Sequence, residues 1–468
     1  MSEAWIPILP HLLLSSGALL VFLLGAFWSS RPLGTLLGIS LAFCAAAGLG
    51  VLLPPAGQTA HLLDVSISGR YFAGLICLLT FIVLLFTGPY ARRRGFETDE
   101  LYALILLSAM GMMLVAGALN WAVLFVGLEL FSISLYVLLA LRKGRPGPLE
   151  ASVKYFVLGS AASSFLLFGI ALVYAGSGSL DIAAGLASAD ALNASLLGIV
   201  FILVGLGFKI SLAPFHLWTP DVYEGAPAPI AAFLSTGSKV AVYAALLRLA
   251  LSSAQGAWEA LSPAIWALAA LTMIAGNLGA LTQQRLKRML AYSSVAHMGY
   301  MLMALNAVGA SGPGPIMFYA AAFALMDLGA FGSLGLLSPE EDDLDAIEGL
   351  QGLGFARYWP AGMLALSLLT LAGLPPTAGF FGKFLLFKAA IQAGYPGLAV
   401  IGIATAILSV YYYLRPLTFM YMRPAQAEAV PSPVPWSGHL GLGMVLLGIL
   451  LLGLAPAPVI EALAGLAP

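Results

Sequence analysis

Apolar stretches long enough to cross a lipid bilayer recur along almost the whole of this 468-residue chain. A helix needs about 20 predominantly apolar residues to cross a hydrocarbon core of about 30 Å. With 61% hydrophobic and only 9% charged residues, the chain has too little polar surface for a water-soluble fold. Because a helix satisfies its own backbone hydrogen bonds inside lipid, the pattern predicts an all-α polytopic membrane protein.

Fourteen spans are predicted when hydropathy is read in windows of about 19 residues. The boundary between the fourth and fifth spans depends only on the short segment Ala118-Leu119-Asn120. Glu3, rather than a lysine or arginine, precedes the first span and no small-residue cleavage pattern follows it, so we expect this span to be retained. The spans are 6–28, 32–53, 70–90, 101–118, 120–141, 152–176, 194–217, 228–251, 262–282, 287–307, 314–337, 358–391, 395–420 and 437–456.

Basic residues are concentrated on one side of the predicted spans. Only Arg70 and Arg248 fall on the other side. Cytoplasmic loops are enriched in lysine and arginine, so this bias predicts that both termini lie on the non-cytoplasmic side. The acidic stretch at 340–345 shares the cytoplasmic side, where acidic residues carry little weight. The basic residues on that side are Arg31, Arg92, Arg93, Arg94, Arg142, Lys143, Arg145, Lys154, Arg285, Lys287, Arg288, Arg357, Arg415 and Arg423.

Composition excludes several kinds of function. Cys44 and Cys77 are the only cysteines, too few for a disulfide framework or an iron–sulfur or metal site. The formal net charge is -1 and no basic run is dense enough to indicate nucleic-acid binding. We therefore expect this chain to bind no cofactor, metal or nucleic acid.

Four charged residues interrupt the apolar spans: Glu129, Lys209, Lys239 and Lys383. On insertion scales a charge at the bilayer centre costs about 2.5 to 3.5 kcal/mol. Such residues usually mark a buried proton or ion path, which is the function that we predict for them.

Two of the lysine-bearing spans also contain prolines. Pro214 follows Lys209, and Pro375-Pro376 precedes Lys383, so the seventh and twelfth spans are predicted to be broken. Each is the fourth span of a five-span set, which predicts two inverted repeats, at 101–251 and 262–420. A three-helix segment at 1–100 would precede them, and a C-terminal helix and tail at 437–468 would follow. Ordinary proline kinks are the alternative.

Long ungapped motifs surround these residues. They read GLGFKISLAPFHLWTPDVYEGAPAP at 205–229, LKRMLAYSSVAHMGY at 286–300, LAGLPPTAGFFGKF at 371–384 and YYYLR at 411–415. In these motifs and its fourteen-span layout, the chain resembles the antiporter-like membrane subunits of respiratory complex I, and most closely the subunit N branch. A lysine at 383, where the related M-type subunits carry glutamate, agrees with that branch.

The resemblance implies a proton-translocating membrane-arm subunit of a bacterial NADH:quinone oxidoreductase, in the inner membrane beside other membrane-arm subunits, including other antiporter-like ones. NADH, FMN, the iron–sulfur clusters and quinone would then be bound by partner subunits. It also implies that the relay residues are Glu129, Lys209, Lys239, His297 and Lys383.

These residues predict a switch made of one movable ion pair. Burial penalises the charged form of a lysine, whereas a neighbouring carboxylate favours it. We expect Glu129 beside Lys209 to hold a proton on the lysine, and Glu129 drawn away to let that proton move on to Lys239 and Lys383.

Several polar residues allow two interpretations. His297 is either a relay or a packing contact. Asp327 is either a partner of His297 or Lys383, or a neutral hydrogen-bonded carboxyl. Lys388 either snorkels or extends the exit path. Interface packing is the preferred interpretation of His216. Topology anchoring is preferred for Lys154, Lys287, Arg288 and the arginines at 92–94.

Two other functions remain open. The large subunit of a multisubunit cation/proton antiporter would need the same lysines and broken helices. A purely structural scaffold would explain the apolar spans, but it leaves the cost of the buried charges uncompensated.

Overall fold

The structure, a computed structural model, describes residues 8–28, 34–53, 62–142, 144–187, 194–252, 255–339, 343–424 and 433–464. Arg31, Lys143 and residues 340–342 lie outside these ranges. Regular structure in the described part consists of α-helices and one short 3-10 helix, Ile347–Leu350. The helices are α1 (Leu9–Phe27), α2 (Thr35–Leu52), α3 (Ile67–Arg93), α4 (Asp99–Gly117), α5 (Trp121–Ala140), α6 (Pro146–Ser177), α7 (Ile182–Ala187), α8 (Ala194–Lys209), α9 (Trp218–Gly225), α10 (Ala228–Ser252), α11 (Gln255–Leu281), α12 (Leu286–Asn306), α13 (Val308–Ser311), α14 (Gly314–Leu337), α15 (Leu353–Ala356), α16 (Tyr358–Ala372), α17 (Ala378–Gln392), α18 (Pro396–Met422), α19 (Trp436–Leu454) and α20 (Pro456–Ala464).

These helices account for the fourteen predicted spans. Eleven spans are single helices that are long and apolar enough to cross a membrane. The remaining three differ for separate reasons. Helix α8 has only 16 residues, the twelfth span is divided into α16 and α17, and α12 is unbroken but polar because it carries Lys287, Arg288 and His297. The prediction of an all-α polytopic membrane protein is confirmed.

The short boundary between the fourth and fifth spans is also confirmed. Helix α4 ends at Gly117 and α5 begins at Trp121. The Asn120 side chain accepts a hydrogen bond from the Ala122 amide at 2.9 Å, which satisfies one of the free donors at the start of α5. The two helices then pack very closely, since a Cβ atom on Gly111 would lie 2.6 Å from the Phe131 nitrogen. Small residues permit this close approach between membrane helices.

The two spans in which a proline lies close to Lys209 or Lys383 are interrupted, as predicted. After α8, Ser211 adopts a left-handed backbone conformation (φ 63°), and Pro214 has no N–H to continue a helix. After α16, Gly373 (φ 85°) and the pair Pro375-Pro376 end the helix, and Thr377 caps α17. The amide of Ala213, which lies in the first break, donates to the hydroxyl of Thr272 on α11 at 3.0 Å. Non-helical backbone is tolerated here because it is buried in protein.

The centre of the bundle is formed by α10 and α14, with α3, α4, α12 and α16 among the helices packed around them. Every residue in the most apolar window of α10 is buried, whereas only 28% of the corresponding window of α1 is buried. Lys239 on α10 therefore lies in the protein interior, away from lipid.

Connecting loops lie at two ends of the bundle. We call one end the basic face, defined by the loops that contain Arg94, Arg145, Arg285 and Arg357. At the opposite face, isolated β-bridges join Leu63 to Ala118 and Asn120 to Asp181, and at the basic face one bridge joins Arg285 to Ala346. Backbone pairing thus connects neighbouring loops at each face.

Candidate functional site

The predicted relay residues lie in the interior of the bundle. The exposed fraction is 1% for Lys209, 1% for Lys239, 4% for Lys383 and 1% for His297. Glu129 is partly buried. A buried ammonium or carboxylate is costly unless polar groups surround it, so the contacts of each residue matter for its function.

Lys209, the last residue of α8, reaches across to α5. Its Nζ atom donates to the Ser132 hydroxyl at 2.8 Å and to the Tyr136 hydroxyl at 3.1 Å. It also lies 5.2 Å from the centroid of the Tyr155 ring, within the range of a cation–π interaction. Both hydrogen bonds go to neutral groups, so the lysine is solvated without being paired to a carboxylate.

Glu129 lies on the same face of α5, three residues before Ser132. Its carboxylate accepts a short hydrogen bond from Ser163 on α6. Among the described residues, no ion pair joins Glu129 to Lys209. Glu129 thus lies one helical turn from a hydroxyl that binds Lys209, while its own hydrogen bond goes to Ser163.

A second cluster surrounds Lys239. Its Nζ atom donates to the Ser294 hydroxyl of α12 at 2.6 Å, and Ser294 lies 3.3 Å from the Ser235 hydroxyl of α10. Ser235 donates to the carboxylate of Asp327 on α14. Asp327 is fully buried. The interpretation of Asp327 as a partner of His297 or Lys383 is wrong, because its hydrogen bond goes to Ser235, on the side of Lys239.

His297 on α12 lies between two tyrosines. Its Nδ1 atom is 2.5 Å from the Tyr319 hydroxyl and its Nε2 atom is 2.9 Å from the Tyr413 hydroxyl. Tyr413 in turn makes a short hydrogen bond with Ser293, which adjoins Ser294 of the Lys239 cluster. Each ring nitrogen thus lies beside a hydroxyl group that can donate or accept a proton, as a relay requires.

Lys383 lies after its helix break, whereas Lys209 lies before its own. The Lys383 Nζ atom turns back to the break and donates to the carbonyls of Leu371 and Ala372, at 2.8 and 3.1 Å. A positive charge is favourable at the carbonyl end of a helix, here the end of α16. The ring of Tyr300 lies beneath this ammonium, 5.5 Å away at its centroid.

A network of ion pairs occupies the basic face, where the sequence predicted only topology anchors. Lys154 and Arg288 both contact Asp221, at 2.9 and 2.6 Å, and Arg288 also contacts Glu224 at 2.9 Å. Arg285 joins Glu224 at 2.6 Å. These residues line a cavity of about 430 Å³. Sequence reasoning missed this network because Asp221 and Glu224, both on α9, lie more than 60 residues along the chain from their basic partners.

The buried part of this network is centred on Asp343, whose side chain is 3% exposed. It pairs with Arg94 at 3.0 Å and Lys287 at 3.1 Å, and it accepts a hydrogen bond from Tyr90 at 2.7 Å. Burial raises the pKa of Asp343, but the two cations and the hydrogen bonds outweigh burial and hold the pKa below its usual value. Arg94 and Lys287 therefore have a structural role beyond setting topology, which corrects their interpretation as anchors.

His216 and Lys388 lie apart from these clusters. The His216 ring packs edge-on against Tyr292, with ring centroids 6.3 Å apart, which agrees with a packing role. Lys388 is exposed on α17, beside a cavity of about 230 Å³ shared with α20. Among the described residues, no group of three or more His, Cys, Asp or Glu side chains could hold a metal ion.

A helical bundle with lysines and carboxyl groups in its interior, beside interrupted helices, is the architecture of a membrane protein that translocates ions or protons. Residues 118–409 match the family described as NADH:quinone oxidoreductase/Mrp antiporter, transmembrane. The chain belongs to this family.

Relatives cover the full chain. NADH-quinone oxidoreductase subunit N 1 of Solidesulfovibrio magneticus is 49% identical over 100% of this chain and 99% of its own length. NADH-quinone oxidoreductase subunit N of Geobacter metallireducens is 42% identical over 98% of each. A chain of respiratory complex I from Thermus thermophilus, solved with bound aureothin, is 35% identical over 97% of this chain and 99% of its own, with a TM-score of 0.83.

Proposed function

We propose that this chain is a membrane-arm subunit of a bacterial NADH:quinone oxidoreductase and that it translocates protons through its buried lysines. The observation that carries the proposal is that Lys209, Lys239 and Lys383 are each buried and each hydrogen-bonded to groups on other helices. The full-length relatives named subunit N support the assignment to that enzyme. The redox cofactors belong to partner subunits in this proposal, and this chain supplies only the proton path.

Proton transfer follows from the contacts of Glu129 and Lys209. When the carboxylate leaves Ser163 and approaches Lys209, attraction stabilises the ammonium and a proton is held. In the separated arrangement the lysine keeps only neutral partners, so its proton is released more easily. Lys239 would receive it, and Lys383 would pass it towards the other side through groups that include His297.

Two inverted five-helix repeats organise this path in our proposal, at 101–251 and 262–420. Corresponding loops support it: Asn120 bridges Asp181 at the opposite face, and Arg285 bridges Ala346 at the basic face. Each bridge joins the loops that follow the first and third helices of its set, and both bridges span the same number of residues. The broken helix comes fourth in each set.

The basic face is cytoplasmic in our proposal, in the bacterial inner membrane, because positively charged loops are retained on that side. Both termini would then lie on the non-cytoplasmic side. The partners that we propose are other membrane-arm subunits, including other antiporter-like subunits, packed against the apolar sides of the bundle.

The proposal is tested by replacing Lys239 with alanine in the assembled enzyme. Lys239→Ala removes the ammonium from the central helix without adding bulk, so assembly should survive. We expect coupled electron transfer and proton pumping to fall together, measured in membrane vesicles with NADH as the reductant. Lys209→Ala should behave in the same way.

The exposed Lys388 provides a matched control. Lys388→Ala removes a lysine from the same membrane domain without touching the three clusters, and we expect normal pumping. Wild-type pumping in assembled Lys239→Ala vesicles would overturn the relay.

A cation/proton antiporter subunit is the second candidate, since the description of the matched family includes Mrp antiporters. Purification distinguishes the two functions. Copurification with redox subunits supports the oxidoreductase, whereas sodium-dependent transport without them supports the antiporter.

A further inference from the structure

We propose that Asp327, on the second set of helices, is the acidic partner of Lys239, as Glu129 is the acidic partner of Lys209. The inference deepens the proposed function and rests on it, since it adds a titratable residue to the same proton path. Neither the ion-pair switch nor the predicted set of relay residues includes Asp327.

The contacts of Asp327 form an oriented hydrogen-bonded wire. Ser235 donates to Asp327, which leaves the Ser235 oxygen free to accept from Ser294 at 3.3 Å. Ser294 in turn accepts from the Lys239 ammonium at 2.6 Å. All three donors therefore point from the lysine towards the carboxylate.

This wire permits a balanced proton transfer. The Lys239 ammonium gives a proton to the Ser294 oxygen as Ser294 passes its own proton to Ser235. Ser235 passes its proton to Asp327. The result is a neutral amine and a neutral carboxylic acid in place of two charges, with both hydroxyls restored. Such a step suits a dry interior, where two separated charges are expensive.

Burial of Asp327 makes its charged form costly and so favours proton exchange. Its side chain is fully buried, and its Oδ1 atom has no hydrogen-bond partner among the described residues. A buried carboxylate that lacks part of its hydrogen bonding is costly, so the residue needs either a proton or a nearby cation. Lys239, two hydroxyls away, supplies both.

The register of the two helix sets supports an equivalent role for Glu129 and Asp327. Counted from the bridged residues Asn120 and Arg285, Glu129 and Ser294 occupy the same position, nine residues later. Glu129 contacts Ser163 on the third helix of the first set, 18 residues before the bridged Asp181.

In the second set, Asp327 also lies on the third helix, 19 residues before the bridged Ala346. Asp327 is thus one residue out of register with Ser163, and the helix that carries the acid differs between the two sets. The first set carries its acid on the second helix and its serine on the third, whereas the second set carries Ser294 on the second helix and Asp327 on the third.

The test is transposition of the acid in the assembled enzyme. Asp327→Ser should lower coupled turnover and pumping several-fold, because the wire loses its acceptor. Adding Ser294→Asp returns a carboxylate to the position that corresponds to Glu129, beside Lys239. We expect the double variant to recover turnover and pumping, which a purely structural role of Asp327 does not predict.

Two conservative changes complete the test. Asp327→Glu should retain more activity than Asp327→Asn, and infrared difference spectra on reduction with NADH should lose a carboxyl band in Asp327→Asn. Asp181→Asn is the matched control, because an amide oxygen can still accept the Ala184 amide that Asp181 now caps at 2.8 Å. It should leave both activity and the band unchanged.

The outcomes separate this inference from the proposed function. Normal pumping in Lys239→Ala overturns the relay itself. A different outcome overturns only the role of Asp327. In that outcome, Lys239→Ala impairs pumping, whereas Asp327→Asn shows wild-type turnover and an unchanged carboxyl band. If Asp327→Asn fails to assemble, the double variant Asp327→Ser, Ser294→Asp provides the test. Turnover and pumping no higher than in Asp327→Ser alone would contradict the inference.

Discussion

At the scale of single residues, the charged groups in this bundle are solvated mainly by hydroxyls and backbone carbonyls. Lys209 and Lys239 donate to serines and a tyrosine, and Lys383 donates to two carbonyls at a helix end. Neutral hydrogen-bond partners lower the cost of burying a lysine ammonium. They do not hold its proton as strongly as a neighbouring carboxylate would. In our proposal, the carboxyl groups of Glu129 and Asp327 change that balance by moving or by taking a proton.

Substitution of Glu129 tests this balance at its first step. Glu129→Gln keeps the size of the side chain and a hydrogen bond to Ser163 but removes the charge. We expect impaired coupled turnover, because attraction to Lys209 is strong in a low-dielectric interior. Glu129→Asp keeps the charge and should retain more activity. Wild-type turnover in assembled Glu129→Gln would remove the ion-pair switch from the mechanism.

At the scale of secondary-structure elements, the loops of the basic face do more than connect helices. The loop after α14 carries Asp343 into a buried site formed by α3, the start of α10 and the start of α12, where it meets Arg94, Lys287 and the Ala228 amide. This site joins the two halves of the chain close to the ends of the central helices.

Loss of the Asp343 charge should therefore destabilise the fold. Removing one partner from a buried ion pair costs about 3–5 kcal/mol, because the other charges remain buried. We expect Asp343→Asn to lower the thermal unfolding temperature of the detergent-solubilised protein. Glu348→Gln, an exposed change in the same loop region, is the control and should leave that temperature unchanged.

The pH dependence of this difference follows from the sign of the Asp343 pKa shift. A depressed pKa contributes stability above the unfolded value of about 3.9, and this stability is lost as pH falls through the folded pKa. The difference between wild type and Asp343→Asn should thus be equal at pH 7 and pH 5, since Asp343 is ionised at both. A difference that disappears by pH 5 would contradict the depressed pKa.

At the scale of the whole molecule, the two faces differ in charge and the three lysine clusters are buried in the interior of the bundle. Lys209, Lys239 and Lys383 lie on three different helices, with α10 in the middle of the bundle. The orientation of the bundle sets the direction in which protons would cross the membrane in our proposal.

Orientation is tested by labelling single introduced cysteines on intact cells. Gln284→Cys places a thiol at the basic face and Gln392→Cys places one near the opposite face, and both positions are exposed. A membrane-impermeant maleimide should label Gln392→Cys and spare Gln284→Cys until the cells are opened. Background labelling should be low, because the native Cys44 and Cys77 are buried. The reverse labelling pattern would invert the proposed topology.

Much of the architecture could be predicted because lipid leaves the backbone few choices. A long apolar stretch forms a helix in lipid, and a proline removes one of its backbone hydrogen bonds, so the spans and the breaks beside Lys209 and Lys383 could be predicted from local sequence. Proline alone is not sufficient for a break, since Pro89 and Pro416 lie inside continuous helices. Buried lysines are equally visible, since a charge in an apolar run carries a cost that function must justify.

Only the tertiary structure decided which groups these charges meet. Asp327 pairs through two serines with Lys239 rather than with His297 or Lys383 because α10, α12 and α14 converge there. Asp343 forms ion pairs with Arg94 and Lys287, which come from segments far apart in the chain. Such contacts depend on how helices pack and rotate against one another, which the hydropathy and motifs of a single chain do not specify.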